Sequence, residues 1–168
     1  MQKFEQDENL QAEACRAIMN VSCGNPTFRK DMLEEGGLDA VTAAMINFPR
    51  SSFLQQCALG AIANLAYRHR GNIELNSDHE LDVIATIVSA MKRFPTNAQI
   101  QMFACDCLYN IANGGGRNKE EHLKRVIVQK DGLSVLGNAA KYGNRADNKY
   151  VQRKAGRALK LISGSILV

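Results

Sequence analysis

An apolar helical segment containing one asparagine is repeated along this chain, and this repetition constrains the fold more than any other feature. Asn20, Asn64 and Asn110 lie in three such segments, and a fourth segment has Leu161 at the same place. These four positions are 44, 46 and 51 residues apart. A helical repeat of about 40 to 50 residues is typical of α-solenoids, in which each unit buries its apolar face against its neighbours.

One face of each repeated segment is predicted to point to the core. The positions six, three and two residues before the asparagine, and one residue after it, share a helix face. They are small or apolar in all four copies, as expected where neighbouring helices approach closely. These core positions are Ala14, Ala17, Ile18 and Val21, then Ala58, Ala61, Ile62 and Leu65, then Ala104, Cys107, Leu108 and Ile111, then Ala155, Ala158, Leu159 and Ile162.

A second stripe lies beside the asparagine, at the positions four, seven and eleven residues before it. Its residues are charged, aromatic or small, and they differ from copy to copy. The members are Arg16, Gly60, Asp106 and Arg157, then Glu13, Cys57, Phe103 and Lys154, then Asn9, Phe53, Gln99 and Tyr150.

Helix breakers divide the intervals between these segments into further helices. Glycine and proline residues end the predicted helices at Gly24-Asn25-Pro26, Gly36-Gly37, Phe48-Pro49 and Phe94-Pro95. The predicted helices are 28–34, 38–47, 81–93 and a segment that ends at Lys141 before a Tyr142-Gly143 break. We predict a flexible surface loop at residues 114–119 because three consecutive glycines begin it. The pattern is therefore all-α, with three helices in each unit and no evident strand.

These residues resemble the armadillo-repeat family. The resemblance rests on the segment A-x-x-A-I/L-x-N-I/L/V-A/S, present in three copies plus a degenerate fourth, and on E-E-G-G-L-D-A-V and Q-K-D-G-L-S-V-L at helix junctions. It covers nearly the whole chain. The resemblance implies a right-handed superhelix of three-helix repeats, so that residues 1–168 form one domain of about three repeats plus a partial one. Because repeat proteins normally need polar caps, we expect a fragment of a longer solenoid.

The resemblance also implies a function. In this family the third helices line a concave groove, and their asparagines hydrogen-bond the backbone of an extended peptide. By analogy the chain is a non-catalytic interaction module or scaffold without cofactor or metal. The peptide-binding residues are then Asn20, Asn64, Asn110, Arg16, Asp106, Phe103, Arg153 and Arg157. The alternative is that the amides hydrogen-bond neighbouring backbone and only stabilise the stacking of repeats.

The preferred partner is predicted to be acidic. The family's nuclear-import adaptors have tryptophan four residues before the asparagine, whereas this chain has none and carries Arg16, Gly60 and Asp106 there. Charge supports the same conclusion: residues 1–116 contain 9 basic and 13 acidic side chains, and residues 117–168 contain 12 and 4. The net charges of −4 and +8 favour an acidic segment at the C-terminal end of the groove, although a solvated basic face is the simpler explanation.

Other classes of function have weaker support in the sequence. The three histidines have no spacing to a nucleophile or metal partner, and no glycine-rich loop follows a strand. Nucleic-acid binding stays open as an alternative, although aromatic residues are not interleaved with the basic ones. The residues that could contact phosphates are Arg117, Lys119, Lys124, Arg125, Arg153 and Lys154. A HEAT-like structural scaffold without a peptide groove is the other alternative.

Composition and the chain ends complete the predictions. Five cysteines and the absence of a membrane-spanning run or signal sequence predict a reduced protein of the cytoplasm or nucleus. Apolar residues predicted at the two ends of the solenoid could join copies of the chain. A front-to-back contact would extend the solenoid into an open filament, whereas back-to-back pairing, which the apolar tail 166–168 favours, would close as a homodimer. The alternative is that this tail covers its own end and leaves a monomer. The end residues are Leu10, Ala14, Ile18, Met32 and Leu33 at the front and Leu159, Ile162 and residues 166–168 at the back.

Overall fold

The computed structural model describes residues 1, 4–67, 77–114, 116–145 and 148–164, without the side chains of residues 77–81, 116–119 and 144–145. Every regular element in these ranges is an α-helix, which confirms the all-α prediction. In chain order they are α1 (Glu8–Ser22), α2 (Pro26–Glu34), α3 (Gly37–Asn47), α4 (Ser52–Leu65), α5 (Ser77–Arg93), α6 (Ala98–Gly114), α7 (Gly116–Gln129), α8 (Gly132–Arg145) and α9 (Lys149–Ser163).

One predicted loop and one predicted helix break are wrong. The loop predicted at 114–119 is largely helical, because Gly114 ends α6 and α7 already begins at Gly116. The chain also stays helical through Tyr142 and Gly143 to the end of α8 at Arg145. Gly143 is needed there for close approach: a Cβ at this position would lie 2.5 Å from the backbone nitrogen of Gln152 in α9. Glycine in this helix therefore serves packing and does not end the helix.

The four repeated segments form helices that pack in sequence order. We call α1, α4, α6 and α9 the row helices, because α1 packs on α4, α4 on α6 and α6 on α9. The helix before each later row helix packs against it, as α3 does on α4, α5 on α6 and α8 on α9. Contacts between α3 and α5 and between α5 and α8 form a second series. The architecture of the described residues is thus repeat-like.

The predicted core stripe is buried in three of the four row helices. Its residues in α4, α6 and α9 are buried, except Leu159, which is half-buried. In α1 the prediction is wrong: Ala14 and Ile18 are half-buried, and Ala17 and Val21 are exposed. The reason is positional: each later row helix packs against the row helix before it and against the helix that precedes it in the chain, whereas α1 is the first of the described helices.

Two polar features that the sequence analysis did not identify recur with the same period. A capping side chain lies thirteen residues before each asparagine position and accepts the backbone N–H three residues further on, at 3.0–3.4 Å. The four caps are Asp7, Ser51, Asn97 and Asn148. A buried glutamine lies nine residues before each asparagine itself: Gln11, Gln55 and Gln101.

The junction between the first and second helices of a unit also has the same geometry twice. Gly36 and Asp131 both adopt left-handed backbone, with φ of 72° and 69°. Each is followed by a glycine whose Cβ would approach a carbonyl oxygen of the preceding helix, at 2.7 Å for Gly37 and 2.6 Å for Gly132. The sequences E-E-G-G-L-D-A-V and Q-K-D-G-L-S-V-L therefore fold into equivalent turns.

Candidate interaction surface

Two of the repeated asparagines connect neighbouring row helices. The side-chain Nδ2 of Asn64 in α4 donates to the backbone oxygen of Met19 in α1, at 2.7 Å. Nδ2 of Asn110 in α6 donates to the backbone oxygen of Ala63 in α4, at 2.9 Å. Met19 and Ala63 each stand immediately before the asparagine of their own helix, in its last turn, where carbonyl groups run out of intrahelical partners. The two amides therefore donate to carbonyl groups at helix ends, and the Met19 oxygen also accepts from the Ser22 hydroxyl at 3.3 Å.

These bonds are the contacts that the stacking alternative predicts, but they use only part of each amide. A carboxamide has two N–H donors and an oxygen acceptor, and one donor is used here. The side chains of Asn64 and Asn110 are partly exposed. Asn20 is exposed, and no hydrogen bond joins its side chain to the residues that the structure describes. Peptide binding by the three asparagines stays a prediction.

The interface between α6 and α9 brings two of the predicted site residues, Asp106 and Arg157, into polar contacts. Lys154 Nζ lies 2.7 and 2.6 Å from the two carboxylate oxygens of Asp106, so Asp106 is neutralised within the chain. Arg157 Nη2 donates to Tyr109 Oη at 2.8 Å, and its guanidinium lies 3.9 Å from the centre of the Tyr109 ring. This stacking fixes the arginine while leaving its positive charge in place. The sequence analysis did not identify Tyr109 as a site residue.

The other predicted site residues lie on both sides of this interface. Arg16 is paired with Glu13 on the exposed side of α1, with Arg16 Nε 2.9 Å from the carboxylate. Arg153 is exposed on α9, and its guanidinium lies 5.5 Å from the Tyr150 ring. Phe103 is half-buried in α6. The structure brings these residues onto consecutive row helices, but Asp106 and Arg16 have charged partners of their own.

Side chains from the two neighbouring row helices fill the space beside Asn64 in α4. Gly60 is buried four residues before Asn64, and a Cβ there would meet the side chain of Met19 from α1 and lie 3.7 Å from the ring of Phe103. A bulky group from one neighbour and a ring from the other thus converge on the glycine. Gly60 was predicted to lie on the mixed stripe, and the structure places it under these two side chains.

Charge changes along the row helices from one end to the other. Helix α1 has two acidic and one basic side chain, α4 has no charged residue, and α6 has only Asp106. Helix α9 has five basic residues and no acidic one, namely Lys149, Arg153, Lys154, Arg157 and Lys160. Of these, Lys154 is paired with Asp106. The potential is therefore most positive over α9.

The buried cysteines do not form reactive thiolates. Burial raises the pKa of Cys15 to about 12, with a smaller contribution from Cys57. The pKa of Cys105 is also raised to about 12, mainly by burial and further by the charge of the nearby Asp106. Burial also raises the pKa of Cys57 and of Cys107, whose Sγ lies 3.1 Å from the Leu59 oxygen. The described residues contain no cluster of three histidine, cysteine or acidic side chains suited to a metal ion. None of the described helices is long and apolar enough to cross a bilayer.

One residue named for the nucleic-acid alternative is not accessible. Lys124 is buried and forms ion pairs with Glu120 at 2.8 Å and Glu121 at 3.2 Å. Burial lowers its pKa, but the hydrogen bonds and charges of the two glutamates outweigh that effect and raise it. The ammonium group is therefore held within α7. Arg125 is exposed, and the side chains of Arg117 and Lys119 lie outside the described residues.

The comparisons with known proteins returned no match to a protein family, a curated protein or a solved structure.

Proposed function

We propose that this chain is a right-handed solenoid of armadillo-type repeats that binds an extended, acidic peptide segment across its row helices. It acts as a non-catalytic interaction module in the cytoplasm or nucleus and uses no cofactor. The asparagines contact the peptide backbone, while the basic residues of α9 contact acidic side chains. The observation that supports this proposal is the partly used amide repeated on consecutive row helices.

The spacing of the row helices suits an extended chain. Packed helices lie about 8–10 Å apart, and an extended peptide rises about 3.3 Å per residue. One row helix therefore corresponds to about three peptide residues. The unused N–H and oxygen of an asparagine can pair with a peptide C=O and N–H, as main-chain recognition of an extended segment requires. Asn20, Asn64 and Asn110 then engage the segment at three successive points.

The charge of α9 selects the chemistry of the segment. Arg153 and Lys160 are exposed, and Arg157 is held by Tyr109 with its charge intact. A fixed guanidinium suits a carboxylate, because its donors match the two oxygens. We therefore assign the acidic part of the peptide to α9. Nucleic-acid binding receives less support, because Lys124 is buried and paired.

The first prediction separates peptide binding from repeat stacking. Short acidic peptides are first screened on an array, and the tightest are titrated against the wild-type chain and two variants. Asn20→Ala should weaken binding roughly 5- to 30-fold, or about 1–2 kcal/mol, and leave the free energy of unfolding unchanged. Asn64→Ala should weaken binding similarly and also destabilise the fold by about 1 kcal/mol, because the Met19 oxygen loses its shorter hydrogen bond and keeps only the one from the Ser22 hydroxyl at 3.3 Å.

Asn47→Ala is the matched control, because it removes an exposed amide from the end of α3, which is not one of the row helices. It should change neither binding nor stability. A stacking role alone predicts that Asn64→Ala loses stability while Asn20→Ala binds as tightly as wild type. That result, or a preference for lysine-rich peptides of the same length, contradicts the proposal. Binding to acidic peptides should also weaken as salt rises, because exposed charges are screened.

A further inference from the structure

Helix α1 exposes an apolar stripe that is buried in every other row helix. The stripe consists of Leu10, Ala14, Ala17 and Val21, and we call it the α1 stripe. Leu10 is 40% exposed and Val21 is 47% exposed. The equivalent large residues, Leu54, Ile100 and Val151 at one end and Leu65, Ile111 and Ile162 at the other, are between 0% and 2% exposed.

The three internal copies indicate what covers such a stripe. In α4, α6 and α9 the equivalent residues are buried, and in α6 one of them, Cys107, contacts the row helix before it, with its Sγ 3.1 Å from the backbone oxygen of Leu59 in α4. The small residues of the stripe are also buried in those helices, so the helix axes approach closely. The α1 stripe is therefore the same kind of surface as these interfaces, and its fitting occupant is another helix with a small, apolar face.

The opposite end of the row does not provide that face. The side of α9 that points away from α6 carries Lys149, Arg153, Gly156 and Lys160, all exposed. At the back of the row, Ile162 is buried and Leu159 is half-buried, while residues 166–168 lie outside the described residues. A head-to-tail contact would press the apolar α1 stripe against several lysine and arginine side chains, which would lose hydration without gaining partners.

We propose that the α1 stripe pairs with the α1 stripe of a second copy, antiparallel, around a two-fold axis between Ala14 and Ala17. The order of side chains is large, small, small, large, at spacings of four, three and four residues. This order reads the same in both directions, so an antiparallel pair places each large residue of one copy opposite a large residue of the other. Self-complementarity of one patch is what a two-fold interface requires.

Charge at the ends of α1 agrees with the antiparallel arrangement. The first turn begins with the cap Asp7 and with Glu8. At the other end, Arg29 Nη1 donates to the backbone oxygen of Ser22 at 3.1 Å. Antiparallel pairing brings the acidic end of one helix to the end of its partner where this arginine lies. The resulting attraction operates twice in a symmetric pair.

Sedimentation of the full chain over a range from low to several hundred micromolar, with reductant to keep the exposed Cys23 thiol reduced, tests the proposal. Wild type should approach twice the 18.5 kDa mass of one chain as concentration rises, and should stop there. Ala17→Lys should remain a monomer throughout. Ala43→Lys is the matched control, since both exposed alanines follow an acidic residue by four positions, and it should dimerise as wild type does.

The other outcomes overturn the proposal. If wild type is still a monomer at the highest concentration, the proposal is wrong, and the α1 stripe would instead bind a helix of a different molecule. Assemblies larger than a dimer, in a proportion that falls as the salt concentration rises, would indicate head-to-tail contact with the basic face of α9. Equal dimerisation of Ala17→Lys and Ala43→Lys places the contact elsewhere. Melting curves of both variants check that each remains folded.

Discussion

At the scale of single residues, buried amides satisfy the carbonyl groups at helix ends. Gln55 Nε2 donates to the oxygens of Met45 at 2.8 Å and Phe48 at 3.2 Å, at the end of α3. Gln101 does the same for Met91 and Phe94 after α5, at 2.9 and 3.0 Å. The Phe48 and Phe94 oxygens also accept the backbone N–H groups of Ser51 and Asn97, but Met45 and Met91 have a proline, without an N–H, four residues further on. An unpaired buried carbonyl is costly, so each glutamine supplies the donor that the methionine oxygen lacks.

Replacing Gln55 by methionine should therefore destabilise the protein by about 1–3 kcal/mol, because a similar volume is kept while both donors are lost. Urea denaturation monitored by circular dichroism gives the difference. Gln56→Met is the control, since Gln56 is only half-buried in the same turn and has no hydrogen bond in the described part of the chain. Equal losses for the two variants would mean that packing and not hydrogen bonding matters at Gln55.

The sequence predicts where these amides lie along the chain better than it predicts which atoms they hydrogen-bond. The spacing of Asn20, Asn64 and Asn110 is visible directly, and the glutamines nine residues earlier have the same period and could have been found in the same way. Their acceptors could not be found, because Asn64 bonds to a helix end 45 positions away, whose location depends on packing. The carboxylate partner of Lys154, 48 residues away, was missed for the same reason.

At the scale of helices, the predictions succeed where apolar periodicity is strong and fail at glycines. The helices from Pro26 to Asn47 agree with the prediction within two residues, because their breakers also cap them. The glycines at 114–116 do separate α6 from α7, but the residues after them are helical and not a loop. Gly143 was predicted to break a helix, since glycine favours a turn. A glycine that permits close helix contact has the same sequence signature, and only the neighbouring helix distinguishes the two.

The contact of Gly60 with Met19 can be measured through a pair of substitutions. Alanine in place of a helical glycine normally gains about 0.5–1 kcal/mol, but at Gly60 the new methyl group would collide with Met19. In a Met19→Ala background the effect of Gly60→Ala should become more favourable by about 1 kcal/mol or more. Gly137→Ala in α8, where a Cβ meets nothing within 4 Å, should have the same effect in both backgrounds. A Gly60→Ala effect that is also unchanged by Met19→Ala would rule out the collision.

At the scale of the whole molecule, buried thiols make stability depend on alkaline pH. The pKa of Cys15 is raised from 9.0 to about 12 in the folded protein, chiefly by burial. Between these values the unfolded chain releases this proton and the folded chain keeps it. The free energy of unfolding is therefore fully retained below pH 9 and falls as pH rises, by up to about 1.4 kcal/mol per pH unit for each such thiol.

Urea denaturation between pH 8 and 11 should show this loss of stability. Cys15→Ala should make the decline less steep, because one thiol that titrates only when unfolded has been removed. Cys23→Ala should leave the slope unchanged, since Cys23 is exposed and accessible to water in both states. Identical slopes for the two variants would exclude the buried thiol as a source of the alkaline loss.

The asparagine bonds between row helices have a consequence for local opening. Each joins a helix only to the one before it, so breaking the contact between α1 and α4 leaves the bond between Asn110 and Ala63 intact. Energy shared only between adjacent units allows part of a molecule to unfold while the remainder stays native. Helix α1 packs extensively on α4 alone, whereas α9, at the other end of the row, packs on both α6 and α8, so we expect the chain to open first by detachment of its first helix.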